Sequence, residues 1–287
     1  MKFSIITPSF RSNQWLPLCI ASVADQEVEH EHIVQDAGSD DGTLDWLLKD
    51  LRVKAFVEKD RGMYDAVNKG FAKATGDILA YLNCDEQYLP GALKEVEKFF
   101  TQHPEVEIAF GDALITEQDG SLRCFRKIQM PWKYHTWISD GLTVLTAATF
   151  LRRSVLEKYG LSFNPDYRAI GDLVWVFQAL DNKVPMKRIR KYTSIFTETG
   201  GNLGNNDASR REQLMFRERA PFWAKVAAPF LVSAHRLRRV LEGAYWEESI
   251  RYQIYTQKSP YQRTEFIAEK PSSRWWRDGD QGQFRWR

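Results

Sequence analysis

The stretch Asp60-Arg61-Gly62-Met63-Tyr64-Asp65-Ala66-Val67-Asn68-Lys69-Gly70, followed by Gly76-Asp77-Ile78-Leu79-Ala80-Tyr81-Leu82-Asn83-Cys84-Asp85-Glu86, constrains the fold more than any other part of the chain. It reads as a loop, an amphipathic helix, a turn, a short apolar strand, and then two carboxylates where the strand ends. Open α/β sheets bind ligands beyond the carboxyl ends of their parallel strands. Adjacent acids at that edge, Asp85 and Glu86, suit a divalent cation, and a cation suits a diphosphate. The competing reading of the pair is a cap for the next helix.

The same alternation runs through the whole N-terminal third. Strands are expected over Phe3–Pro8, Glu31–Asp36, Val53–Glu58 and Ile78–Leu82, with helices over Leu16–Gln26, after Thr43, and over Tyr64–Thr75. Such β-α repetition predicts a parallel, doubly wound sheet. Further on, helices are expected over Leu89–His103, Arg152–Tyr159 and Asp172–Leu180. Strands are expected over Val106–Ala113, Leu122–Phe125 (a hairpin turned at Gly120), Ala147–Leu151 and Thr193–Phe196. Strands that pair locally after a parallel half make the sheet mixed. The expected class is therefore α/β, a Rossmann-like mixed sheet flanked by helices.

Composition changes near residue 206. Gly200–Asn206 reads as a mobile loop, and Arg210–Tyr255 as mostly helical, basic and aromatic. Residues 271–287 read as a disordered tail, polar with interspersed Trp. The expected parts are thus 1–205, 206–270 and 271–287. Net charge is only +2, so the whole chain has no general bias toward nucleic acid. Residues 208–287 nevertheless hold 16 Lys and Arg against 9 Asp and Glu, which leaves the first 207 residues acidic. The halves should meet different partners.

Cys19, Cys84 and Cys124 have no metal-ligand spacing and fit a reduced, cytosolic protein. The N-terminus carries a short strand ended by Pro8, not a signal peptide. No run approaches the roughly 20 apolar residues of a membrane span.

Several polar residues fall at the same sheet edge. Asp36, at the end of the second strand, can accept a base N–H or cap the following turn, whose Gly38-Ser39-Asp40-Asp41-Gly42-Thr43 is turn and cap chemistry. Asp60 and Arg61 follow the third strand, where Asp60 can meet a nucleotide and Arg61 a phosphate or solvent. Asn68 and Lys69 sit on a helix flank and suit a structural role. Asp172 opens a helix, as an N-cap or as a general base for an acceptor hydroxyl. His135, near Trp132 and Trp137, can touch substrate, but a partly buried structural histidine is the stronger reading. No P-loop, GxGxxG or nucleophile elbow is present.

Taken in order, Ser4–Phe10, Gln35–Thr43, Asp60–Gly70, Gly76–Glu86, Phe150–Arg153 and Gly171-Asp172 resemble the family 2 glycosyltransferases of the GT-A fold over about 200 N-terminal residues. The resemblance implies inverting transfer of a sugar from a nucleotide-diphosphate donor, UDP favoured, to a hydroxyl acceptor in bacterial surface polysaccharide or glycolipid. It implies that Asp36 reads the base, with the backbone around Thr7 and Pro8 lining the same pocket. Asp60 and Arg61 would lie near the nucleotide, Asp85 and Glu86 would form a DxD-like site for ribose and Mn²⁺ or Mg²⁺, and Asp172 would be the base. Asn83 stands where the first DxD acid often lies, and Val174 stands where a second acid often follows the base.

In the C-terminal part, Trp223, Val226, Phe230, Leu231, Leu237 and Leu241 alternate with Lys225, Arg236, Arg238 and Arg239. Apolar and basic residues mixed at helical spacing suit an interfacial helix on anionic lipid, where a lipid-linked acceptor would be found. That places the chain in the cytoplasm, peripheral on the inner membrane face. The alternative is packing on the catalytic domain or on a second copy of the chain. Two rival activities remain open from sequence: a binding module without turnover, and a nucleotidyltransferase.

Overall fold

The computed structural model describes residues 1–139, 142–200 and 207–274, the side chains of residues 207 and 208 apart. Nine strands form the main sheet: β1 (Phe3–Ser9), β2 (His30–Asp36), β3 (Lys54–Val57), β4 (Ile78–Tyr81), β5 (Glu86–Tyr88), β6 (Ile108–Thr116), β7 (Leu122–Arg126), β8 (Thr149–Arg152) and β9 (Met186–Thr197). Their order is β3-β2-β1-β4-β8-β6-β9-β5, and β7 pairs with β6. β1 to β4 are parallel, as the alternation predicts. β8 is antiparallel to β4 and β6, β5 is antiparallel to β9, and the sheet is mixed.

The alternation of side chains across the strands explains why both faces are covered. Phe3, Ile5, Ile78 and Ala80 enter one core, beneath α1 (Leu16–Ala24) and α4 (Ala92–Gln102), with Cys19, Val23, Val96 and Phe100. Ile6, Leu79 and Tyr81 enter the other, against α3 (Met63–Lys73) and α7 (Gly171–Asp181), with Val67, Phe71, Phe163 and Trp175. Phe163 stacks on Tyr64 and on Trp175, at 5.4 Å in each case. Aromatic pairs of this kind add about 0.5–1.5 kcal/mol beyond area burial. Asn68 closes the same junction: its Nδ2 donates to Phe163 O at 2.7 Å, and its Oδ1 accepts from Phe163 N at 3.0 Å. Short helices α2 (Thr43–Leu47), α5 (Lys133–Ile138) and α6 (Ser154–Glu157) complete this part.

The C-terminal segment is helical over α8 (Asp207–Glu218), α9 (Phe222–Val226) and α10 (Ala228–Leu241). Pro229 sits in the first turn of α10, where its missing N–H costs nothing. The helical expectation fails beyond that point. β10 (Ile250–Thr256) and β11 (Ser259–Ala268) form a hairpin whose Ile250, Tyr252 and Ile254 pack on Leu89, Leu114, Phe125 and Ile195. The strict apolar alternation of Ile250, Tyr252 and Ile254 signals a strand, and the aromatic-rich composition masks it. Residues 271–274, expected to begin a disordered tail, include Ser272, whose carbonyl accepts from Phe125 N at 2.9 Å. Residues 275–287 and most of the Gly200–Asn206 loop lie outside the described residues.

Candidate active site

Because β1 to β4 run in register, their carboxyl ends open on one edge. Ser9 faces Asp36, and Asp36 faces Val57. The loops that follow line a cleft of about 2260 Å³ with Pro8, Phe10, Trp15, Gly38, Asp60 and Asp85. That exceeds the roughly 300–1,000 Å³ of a single small-ligand pocket, so two ligands can meet there. Asp172, at the start of α7, lines the same cleft.

The Asp60–Gly70 stretch builds much of one wall. Asp60 Oδ1 accepts from Gly62 N at 2.8 Å. Gly62 has φ +124°, and a Cβ there would lie 2.8 Å from Arg168 Nη1, so the turn into α3 requires glycine. Asp65 accepts from Arg61 N at 3.0 Å and pairs with Lys69 at 3.4 Å. Tyr64 is buried, and its hydroxyl donates to Asp172 Oδ1 at 3.2 Å. The same Asp172 oxygen accepts from Leu173 N at 2.8 Å. Burial raises the Asp172 carboxyl above its ordinary range, and the Leu173 and Tyr64 bonds oppose that rise. A carboxylate so placed is half-buried, ordered and more basic than a surface Asp.

The two acids expected as a pair are split. Asp85 is half-buried and lines the cleft, and burial pushes its carboxyl up to about 6, with Glu198 adding to the rise. Glu86 turns away. It begins β5, pairs with Phe196 of β9, and is fully buried. Its Oε2 accepts from Asn83 N at 2.8 Å and its Oε1 from Asn83 Nδ2 at 3.2 Å. Burial, then the neighbouring Asp85, push Glu86 up to about 8. Glu86 is not part of the cleft lining and braces the Asn83 turn. Among the described residues no group of three or more His, Cys, Asp or Glu is set to hold a metal. A single cleft carboxylate still fits a Mg²⁺-type ion, which takes one or two carboxylates and fills its other positions from phosphate and water.

Other expected residues serve the scaffold. Asp36 is fully buried and both its oxygens are engaged: Oδ1 accepts from Gly38 N and Ser39 N at 2.9 and 2.7 Å, and Oδ2 from the hydroxyls of Ser9 and Ser39 at 2.7 and 2.8 Å. Four acceptor sites are all a carboxylate offers, so Asp36 shapes the loop that carries Ala37 and Gly38 to the cleft. The Thr7 hydroxyl points into the core, 2.8 Å from His32 Nε2, while Pro8 reaches the cleft. Arg61 is exposed outside it, 3.9 Å from Asp166. The Cys84 thiol donates to Pro8 O at 3.2 Å, and burial pushes it up to about 12. All three cysteines are free.

Sequence reasoning missed the far wall. His135, for which the sequence offered a substrate contact or a structural role, lines the cleft, stacked on His235 of α10 at 4.0 Å, a partner the sequence did not suggest. Arg236 and Arg239 of α10 line it too. The basic run in α10 was visible, but nothing local ties it to α5.

A mixed α/β sheet whose parallel strands end at one open cleft is the architecture of GT-A glycosyltransferases. The family model for glycosyl transferase family 2 matches residues 4–160, and the chain belongs to that family. It is a glycosyltransferase. A PGL/p-HBAD biosynthesis glycosyltransferase of Mycobacterium bovis is 33% identical over 210 residues, covering 69% of this chain and 78% of the relative. Among solved structures, S. aureus TarS 1–349 in complex with UDP-GlcNAc aligns at TM-score 0.59 and 16% identity, covering 84% of this chain and 73% of that one. The mannosyltransferase PcManGT from Pyrobaculum calidifontis, in complex with GDP-Man and Mn²⁺, aligns at 0.53 and 15%, covering 84% and 79%. At those identities the likeness establishes the fold.

Proposed function

We propose that the chain transfers a sugar, with inversion, from a nucleotide-diphosphate donor to a hydroxyl of a glycan or lipid-linked acceptor. A UDP-sugar is the favoured donor. The observation that carries this reading is that Asp85 and Asp172, from opposite halves of the sequence, line one cleft. The donor nucleotide would lie on the β1–β4 loops, against Pro8, Gly38 and Asp60, with Asp36 holding that loop in shape. Asp172 would take the proton of the acceptor hydroxyl as its oxygen attacks the anomeric carbon. The bond from that carbon to the diphosphate oxygen breaks, and the nucleoside diphosphate leaves with the bonding pair. Asp85 is the residue that would hold Mn²⁺ or Mg²⁺, which when bound neutralises charge on the leaving group.

The C-terminal helices support contact with an anionic membrane. Ala224 of α9 and Leu231 of α10, with Ala220 just before them, pack on Ile138 of α5. The same helices expose Phe222 (81%), Phe230 (73%) and Leu241 (77%), and also Trp223, Val226 and Leu237. These exposed apolar side chains, with Lys225 among them, suit a lipid interface, whereas Arg236, Arg238 and Arg239 of α10 turn toward the cleft wall. Among the described residues no helix is long and apolar enough to cross a membrane.

The test is hydrolysis of a panel of nucleotide sugars, with and without Mn²⁺, by the wild type and Asp85→Ala. Slow, metal-dependent cleavage of one donor, lost in the variant, is the expected result. Cleavage that ignores both Mn²⁺ and the substitution would overturn the metal assignment.

A further inference from the structure

A second part of the cleft has a chemistry that donor binding and proton transfer leave unused. Its wall is built by the segment after β7, by α5 and by α10. Arg239 is only 7% exposed, yet it lines the cleft. Its guanidinium lies 4.6 Å over the Tyr245 ring, and its Nε has no hydrogen-bond partner among the described residues. The adjacent Arg238 is fully committed. It donates to Gln129 Oε1 at 2.9 Å and to Met130 O, stacks 4.2 Å over Trp132, and pairs with Glu242 at 3.7 Å. Beside Arg239 stands the stacked pair His135 and His235, and His135 Nδ1 is also unpartnered among the described residues. Burial pushes these imidazoles down to about 4 and about 3, so both are neutral at pH 7 and can donate an N–H. Arg126 and Arg236 border the same space.

A buried guanidinium without a counter-charge is costly, and the cost is removed when an anion docks. The Tyr245 ring packs against the guanidinium, and a planar fork suits a phosphate. On the proposed reading the donor diphosphate lies elsewhere, at the β1–β4 edge. We infer that this wall binds a phosphate group carried by the acceptor, with Arg239 as the principal contact and His135, His235 and Arg236 around it. The inference rests on the glycosyl-transfer reading for the presence of an acceptor in the cleft. Val232 and Val240 of α10 line the cleft beside these groups, so a phosphate at the head of a lipid would have its chain next to apolar side chains.

The experiment is calorimetric titration of the full chain with farnesyl phosphate, farnesol, inorganic phosphate and UDP, repeated on Arg239→Met and Arg239→Lys. The wild type should bind farnesyl phosphate and not farnesol. Arg239→Met should weaken that binding by roughly tenfold to a hundredfold, as loss of a charge-assisted hydrogen bond does. Arg239→Lys should recover part of it, and the UDP affinity should be the same in all three. Inorganic phosphate that competes as tightly as farnesyl phosphate would identify a site for phosphate alone. Competition at least tenfold weaker would identify a lipid-borne phosphate. Equal binding of farnesyl phosphate by wild type and Arg239→Met, or of farnesol and farnesyl phosphate by wild type, would overturn the inference. Failure of the wild type to bind UDP would count against the donor reading and leave the phosphate result standing. If Arg239→Met does not melt cooperatively, Arg239→Gln carries the same expectation.

Discussion

The Tyr64 hydroxyl donates to Asp172 Oδ1 at 3.2 Å across 108 residues of sequence. The bond links the third helix of the nucleotide-binding half to the first turn of the helix that carries the proposed base. Tyr64 is itself held by Phe163, so the acid is positioned through a packed aromatic stack rather than by a loop.

Asp172→Asn should lower kcat by roughly 10²–10⁴-fold, the usual contribution of a positioned base, while the affinity for nucleoside diphosphate stays unchanged. Steady-state kinetics with the identified donor and acceptor, alongside calorimetry with UDP, check this. A variant that keeps wild-type kcat would remove Asp172 from the chemistry.

Tyr64→Phe should move the acid limb of the kcat/KM profile. Asp172 must be ionised to accept a proton, and burial already raises it. The Tyr64 bond lowers it, so removing the hydroxyl raises it further and shifts the limb to higher pH. A limb that stays in place would show that the bond does not tune the base.

Gly171→Ala would place a methyl 2.6 Å from the Tyr64 ring. Either the ring or α7 must shift, at a cost of about 1–3 kcal/mol for overpacking, and Asp172 shifts with it. Thermal melting should report the loss of stability, and kcat should fall more than KM rises. Unchanged values of both would contradict the close approach.

Glu86→Gln should leave Mn²⁺ activation intact, whereas Asp85→Asn should abolish it. The stability of the Glu86 variant has its own sign. In the wild type the folded carboxyl is raised from 4.5 to about 8, so the folded state holds the proton that the unfolded chain releases. Wild type therefore loses stability as pH rises from about 4.5 to about 8. Glu86→Gln lacks that loss and should melt progressively higher than wild type across the window, by at most roughly 3–5 °C per pH unit. Parallel melting curves at pH 5 and pH 8 would show that Glu86 is ionised in the fold.

Replacing Phe222, Phe230 and Leu241 together by Ser should reduce co-sedimentation with anionic vesicles by at least about tenfold, given roughly 25 cal/mol per Å² of apolar surface. Donor hydrolysis in solution should not change. Binding that persists in the triple variant, or that is as tight on zwitterionic vesicles, would exclude the proposed face.

What was legible in the sequence is what local spacing encodes. The alternation of short apolar runs with amphipathic helices determined the parallel half, because burial on both faces leaves no other register for Phe3, Ile5 and Ile6 or for Ile78 to Tyr81. It also determined that Asp60, Asp85 and Asp172 stand at strand ends or at a helix start. The alternation of Ile250, Tyr252 and Ile254 carried the C-terminal hairpin as well, where composition pointed to helix. Tertiary structure alone decided which polar groups reach the cleft. Glu86 leaves its neighbour because β9 lies alongside and pairs with it. Asp36 is consumed by Ser9 and Ser39, and Asp172 receives Tyr64 from far away in sequence. His135 meets His235, and Arg239 is buried without a carboxylate partner among the described residues, because α10 folds back on α5. Spacing along a chain specifies which face of its own element a side chain occupies. What lies across from that face depends on contacts between elements, and those are settled only when the layers pack.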